Sequence, residues 1–227
     1  MSGPTIGLLT IGQSPRPDGL ARDVAAVVGG GRVLERGGLD GLSRGEIDAM
    51  RPGHDDYRLV TLLQDGTPVE IAKRHLLPHL QAQIDGLEAD GAAVTLLMCT
   101  GEFPAFRHDR PLLAPQAALY ALVRAMAEAG RVASLTPLAS QVEQARRKWA
   151  TLGLDDAFVT DADPYGGSAH AVVAEGAARA REAGATVLFM DCFGYDLGMR
   201  AAAVESFGGT VVLARSMAAR LAAEIAA

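Results

Sequence analysis

The sequence predicts an α/β protein made of two pseudo-symmetric parallel-sheet halves. Three observations predict it. Short apolar runs alternate with helix-sized segments, the pattern of a parallel sheet covered by helices on both faces. One passage occurs twice: G-A-A-V-T-L-L-M-C-T-G over 91–101 and G-A-T-V-L-F-M-D-C-F-G over 184–194. Aligned on Cys99 and Cys192, the two passages match at both flanking glycines, Gly91 with Gly184 and Gly101 with Gly194. Finally, Leu135-Thr136 echoes Leu9-Thr10 at the end of an earlier apolar run.

The elements follow in order. Thr5–Ile11 is a buried strand, bounded by Pro4 and Gly12. Gln13 to Asp18 is a polar loop, and a helix follows from Asp18 to Val28, ended by Gly29-Gly30-Gly31. Arg32–Glu35 is a second strand. Ser43 with Glu46 forms a capping box for a short helix that Pro52 stops. Tyr57–Leu63 and Val69–Ala72 flank Gln64-Asp65-Gly66 and pair as a hairpin. Leu77, Leu80, Ile84 and Leu87 make a helical face, with Pro78 in its first turn or kinking it. The first cysteine strand comes next, then a loop from Glu102 to Pro115 and a helix Gln116–Glu128. Arg131–Thr136 is a strand, Ser140 with Glu143 a second capping box for a helix to about Leu152, and Ala157–Thr160 a strand. Trp149 on that helix reads as packing. After the Asp161–Gly167 loop, Ser168 caps a helix to Ala183. The second cysteine strand, a helix near Gly198–Glu205, a strand Thr210–Leu213 and a helix from Arg215 complete the chain. The Thr10-to-Cys99 span exceeds the Thr136-to-Cys192 span, and residues 40–73 are assigned the surplus. The expected halves are 1–112 with 205–227, and 113–204.

At 227 residues, 49% hydrophobic and 21% charged, the chain has the balance of a soluble globular protein. A net charge of −6, with no basic cluster longer than Arg146-Arg147-Lys148, argues against nucleic acid or anionic membrane as the main partner. The apolar runs are too short to span a bilayer. Met1–Gln13 lacks the positive n-region of a signal peptide, and two cysteines do not make a disulfide scaffold. The expected setting is cytoplasmic, with reduced thiols.

In open parallel sheets, ligands bind outside the carboxyl ends of the strands. Four polar clusters fall at such ends: Gln13-Ser14-Arg16, Cys99-Thr100, Thr136 and Asp191-Cys192. Backbone N–H groups at helix starts there suit a carboxylate, and they favour a thiolate. A single nucleophilic cysteine needs a base, and nothing singles one out among His54, His75, His79, His108 and His170. Two opposed thiols need no histidine: one thiolate removes a proton next to a carbonyl, while the other thiol returns one to the opposite face. Each cysteine alone reads as a small buried hydrophobe, but their equivalent places in a repeat favour a working pair. No metal is expected. Cys-x-x-Cys is absent, and His75 and His79, four apart, have Pro78 between them and no Glu after His75. No cofactor is expected either, since neither G-x-G-x-x-G nor a Walker A pattern occurs.

Duplicated α/β halves with one strand-end cysteine each resemble the Asp/Glu racemase superfamily. Within it, T-I-G-Q-S-P-R-P-D (10–18), L-S-R-G-E (42–46), L-L-Q-D-G (62–66) and M-D-C-F-G (190–194) resemble the AroM family over essentially the whole chain. The resemblance implies an active site in the cleft between Asp/Glu racemase-like halves, with Cys99 and Cys192 as opposed acid and base. It implies substrate contacts from Gln13, Ser14, Thr100, Gly101 and Thr136, and from Asp191, Phe193, Gly194 and Tyr195. Arg16 reads either as a partner for a second carboxylate or as a surface loop arginine, and Asp191 as orienting the thiol, holding a substrate amine or capping a helix. Gln13 stands where racemases have an acidic residue, Phe193 where they have threonine, and Tyr195 near a usual histidine. These departures point away from ordinary Asp or Glu as substrate. The implied activity is a cofactor-independent racemase or epimerase acting on a small carboxylate, an amino acid or derivative. Two other readings stay open: a cysteine-nucleophile cis–trans isomerase or decarboxylase, and a non-catalytic small-molecule binding or regulatory protein. The family's name identifies no reaction. A homodimer would be ordinary for this architecture.

Overall fold

The computed structural model describes residues 4–29, 32–127 and 130–226, so Gly30, Gly31 and Glu128, expected at helix ends, lie outside the described residues. The chain forms two compact units, Met1–Gln116 with Ala218–Ala227, and Ala117–Met217.

The first unit contains β1 (Thr5–Thr10), α1 (Leu20–Val28), β2 (Arg32–Gly37), α2 (Arg44–Asp48), β3 (Arg58–Leu62), β4 (Pro68–Ala72), α3 (Lys73–Ala89), β5 (Val94–Met98) and β6 (Leu112–Leu113). Its sheet runs β2-β1-β5-β6, all parallel. Every residue of β5 is buried, as expected for a central parallel strand covered on both faces. The strands β3 and β4 form a separate antiparallel hairpin, turning at Gly66 (φ 84°). With α2 they account for the surplus: residues 38–72 separate β2 from α3.

The chain then enters the second unit along α4 (Gln116–Ala127), followed by β7 (Arg131–Thr136), a 3-10 turn (Ala139–Gln141), α5 (Val142–Ala150), β8 (Phe158–Asp161), α6 (Ala169–Glu182), β9 (Ala185–Met190), α7 (Leu197–Phe207), β10 (Thr210–Leu213) and α8 (Ala214–Ala226). This sheet is also parallel, in the order β8-β7-β9-β10. It repeats the first sheet strand for strand, with β7 in the place of β1 and β9 in the place of β5. Only residues 162–168 separate β8 from α6. Register preserves the repeat. Thr10 pairs with Met98, and the residue after Met98 is Cys99. Leu135 pairs with Met190 and accepts the Asp191 N–H at 3.0 Å, which puts Thr136 level with Asp191, the residue before Cys192.

Several local expectations change. Helix α3 continues through Pro78 as one helix, and its buried face is Leu76, Leu80, Ile84 and Leu87, so Leu76 replaces Leu77. Ser43 and Glu46 do form the capping box. Ser140 and Glu143 do not, because Ser140 lies inside the 3-10 turn and Gln141 becomes the N-cap. Ser168 precedes α6 at φ −105°, ψ 16°, outside the extended region, and its hydroxyl caps nothing. The last strand, expected with residues 1–112, pairs with β9 in the second sheet, and the chain rejoins the first unit from Ala218.

Candidate active site

In the first unit, Cys99 follows the end of β5 and is half-buried. Its sulfur accepts the Gly101 N–H at 3.3 Å. A Cβ at 101 would lie 3.0 and 3.2 Å from Leu59 and Phe103, so glycine leaves room for the close packing of this turn. The next residue is clamped on both sides of its backbone. The Glu102 N–H donates to the Tyr57 hydroxyl at 3.1 Å, and Lys73 Nζ donates to the Glu102 carbonyl at 2.8 Å while lying 4.0 Å from the Tyr57 ring centroid.

In the second unit, Cys192 follows β9, is also half-buried, and its sulfur accepts the Gly194 N–H at 3.2 Å. The Tyr165 hydroxyl lies 3.7 Å from the same sulfur. Arg215, 1% exposed, holds this loop from behind: Nε and Nη2 donate to the Phe193 carbonyl at 2.9 and 2.6 Å. Phe193 and Tyr195 are both buried, and Tyr195 donates its hydroxyl to the Ala162 carbonyl at 2.6 Å. Burial above all, with the neighbouring Cys192 second, raises the Tyr195 phenol well above 10.0, so it stays protonated.

Each cysteine therefore meets a backbone N–H two residues on, which is the physical content of the repeated Cys-x-Gly. Such a donor favours the thiolate. The expected helix starts do not supply it: no helix follows Cys99 before α4, and α7 begins at Leu197 with Asp196 capping it through Met199 N–H at 2.7 Å.

The 13–18 loop is occupied with itself and the hairpin. The Gln13 N–H donates to the Leu62 carbonyl at 3.2 Å, and its side-chain oxygen accepts the Gln64 N–H at 3.1 Å. The Ser14 backbone and hydroxyl both donate to Asp40, at 2.7 and 2.6 Å. Arg16 is 7% exposed; its guanidinium bonds Asp18 at 2.7 Å, Thr61 at 3.1 Å and Thr10 at 3.3 Å. Those donors brace the loop from inside.

Thr100 and Thr136 are buried. Asp191 is 6% exposed and accepts the Tyr120 hydroxyl, with Lys148 Nζ 3.7 Å away. Tyr120 stacks on the fully buried Trp149 at 4.3 Å. Asp191 thus anchors α4 and α5 to the strand end. Cys192, the next residue, packs against the buried cluster that includes Tyr195 and Met199. Sequence reasoning missed Lys73, Tyr57, Tyr165 and Arg215. The one available signal was Arg215, a charged residue two places after an apolar strand.

Among the described residues, no three His, Cys, Asp or Glu side chains are grouped to hold a metal ion, and no helix is long and apolar enough to cross a membrane.

Residues 6–226 match the profile of the family described as AroM protein. No curated protein matches the chain. Among solved structures, allantoin racemase from Klebsiella pneumoniae superposes with a TM-score of 0.63 at 14% identity, over 98% of this chain and 87% of that one. Picrophilus torridus aspartate racemase gives 0.59 at 11% identity, over 99% and 94%. An arylmalonate decarboxylase gives 0.62 at 17% identity, over 99% and 93%. The chain belongs to the AroM family, and its two parallel-sheet α/β units have the fold of the Asp/Glu racemase superfamily.

Proposed function

We propose that this protein is a cofactor-independent racemase or epimerase of a small carboxylate, an amino acid or derivative, with Cys99 and Cys192 as its acid and base. One observation carries the reading: the two cysteines occupy equivalent strand ends of matching sheets, each with a backbone N–H on its sulfur. A thiolate that accepts the proton next to the carboxylate becomes a thiol, and the resulting carbanion takes the proton of the other thiol, which becomes the thiolate. The roles are exchanged and no redox partner is needed. The reading requires both sulfurs to reach one carbon atom. Backbone N–H groups would hold the charge that develops on the carboxylate. Buried Phe193 and Tyr195 favour an apolar substituent on the substrate.

Deuterium incorporation at the α-carbon in heavy water, followed by NMR over a panel of amino acids and their derivatives, tests it. Exchange from both enantiomers is expected, with loss of racemisation in Cys99→Ser and in Cys192→Ser. Absence of exchange across the panel, with a ligand-induced thermal shift that survives both changes, would instead support a binding protein. The sulfurs also differ in surroundings, Cys192 lying beside a phenol and Gly101 of the Cys99 loop beside Leu59 and Phe103. That asymmetry favours, as second reading, one-sided chemistry such as decarboxylation, in which a single cysteine delivers the proton and only one face exchanges.

A further inference from the structure

The loop after β8 reaches Cys192 through Tyr165, and two further contacts shape that loop. Tyr195 ties the Ala162 carbonyl to the cysteine loop at 2.6 Å, which fixes the start of that loop. The Tyr165 N–H turns back onto Asp163 Oδ1 at 2.8 Å, and the phenol arrives 3.7 Å from Cys192 Sγ. Gly194 makes room for it: a Cβ there would stand 2.6 Å from the Tyr165 oxygen and 2.8 Å from its ring. The phenol and the Gly194 N–H, 3.2 Å from the sulfur, therefore address the same atom.

We infer that Tyr165 is a positioning residue that donates its hydroxyl hydrogen to Cys192 Sγ and so sets the thiolate population of that cysteine. The inference rests on Cys192 being the proton-transfer group proposed above and makes Cys192 the resting base. A hydroxyl donating to a thiolate is a charge-assisted hydrogen bond, and its loss lowers the thiolate fraction at neutral pH about tenfold.

The test uses the full chain carrying Cys99→Ser, in which Cys192 is the only thiol. Iodoacetamide alkylation is followed by intact-mass spectrometry across the pH range in which a thiol ionises. Tyr165→Phe keeps the ring and removes only the hydroxyl. The expected result is a profile displaced to higher pH, with alkylation near neutrality about tenfold slower and no loss at the alkaline plateau. Gly194→Ala, which displaces the phenol, is expected to move the profile in the same direction. Superimposable profiles for Tyr165→Phe, or slowing by one factor at every pH, would overturn the inference. The two readings fail separately, since a displaced profile without deuterium exchange would reject the racemase and leave the Tyr165 contact standing.

Discussion

Asp191 and Lys148 give the sharpest quantitative test of how the second cysteine strand is held. Their side chains are 3% and 9% exposed with 3.7 Å between Oδ2 and Nζ, so neither charge can easily return to water. Removing one member of a buried pair strands the other, at a cost of about 3–5 kcal/mol. For Asp191→Asn we expect the lower end, about 3 kcal/mol, since Lys148 keeps the Tyr120 ring 4.5 Å from its Nζ. Lys148→Met is expected to cost about 2 kcal/mol, because Asp191 keeps the Tyr120 hydroxyl. The double variant leaves no buried charge and should cost less than the sum of the two by about 2 kcal/mol. Equilibrium urea unfolding followed by the fluorescence of Trp149, the only tryptophan and a stacking partner of Tyr120, reports from within the same unit. Costs that add to within about 0.5 kcal/mol would refute the pairing.

Two further outcomes follow from the described contacts. Arg215→Met leaves the Phe193 carbonyl without its two donors and is expected to destabilise the chain by about 2–4 kcal/mol; a loss in urea unfolding below about 0.5 kcal/mol would show that the guanidinium does not hold the loop. Burial raises the Glu35 carboxyl above its ordinary value of 4.5, against the lowering effect of the Arg16 N–H, so between the ordinary and the raised value the folded chain holds more proton than the unfolded one. Stability therefore falls as pH rises through that window. Glu35→Gln, which still accepts the Arg16 N–H, should raise the urea midpoint at pH 7 and give no difference well below the ordinary value; a variant weaker than the parent at pH 7 contradicts this.

Much of the fold was legible because parallel strands covered on both faces must be continuous apolar runs, as Val94–Met98 is, and because glycine ends the preceding helices. The equivalence of Cys99 and Cys192 was legible for a related reason, since a repeated sequence keeps its register in a repeated sheet. Cap chemistry was less so. Ser43-x-x-Glu46 and Ser140-x-x-Glu143 carry the same signal, yet only the first meets an extended backbone at its serine. The occupants of the Cys192 surroundings were hidden because they act across the fold: Tyr165 reaches its sulfur from another strand's loop, and Arg215 from the start of the last helix. Arg16 was legible as a charge next to the first strand end, but its contacts were not, because sequence does not show Thr10, Thr61 and Asp18 around it.

The β3-β4 hairpin, which among the described residues only the first unit carries, is more than an ornament. The Thr61 hydroxyl oxygen accepts a hydrogen bond from the buried Arg16 guanidinium, the Leu62 carbonyl accepts the Gln13 N–H, and a Cβ on Gly12 would collide with both of those hairpin residues. The turn after β1 is thus cast against β3 as against a mould. A shortened chain with residues 40–72 excised to imitate the second unit would not become a symmetric protein. It would lose the shape of its first strand-end loop, which Thr61 and Leu62 hold.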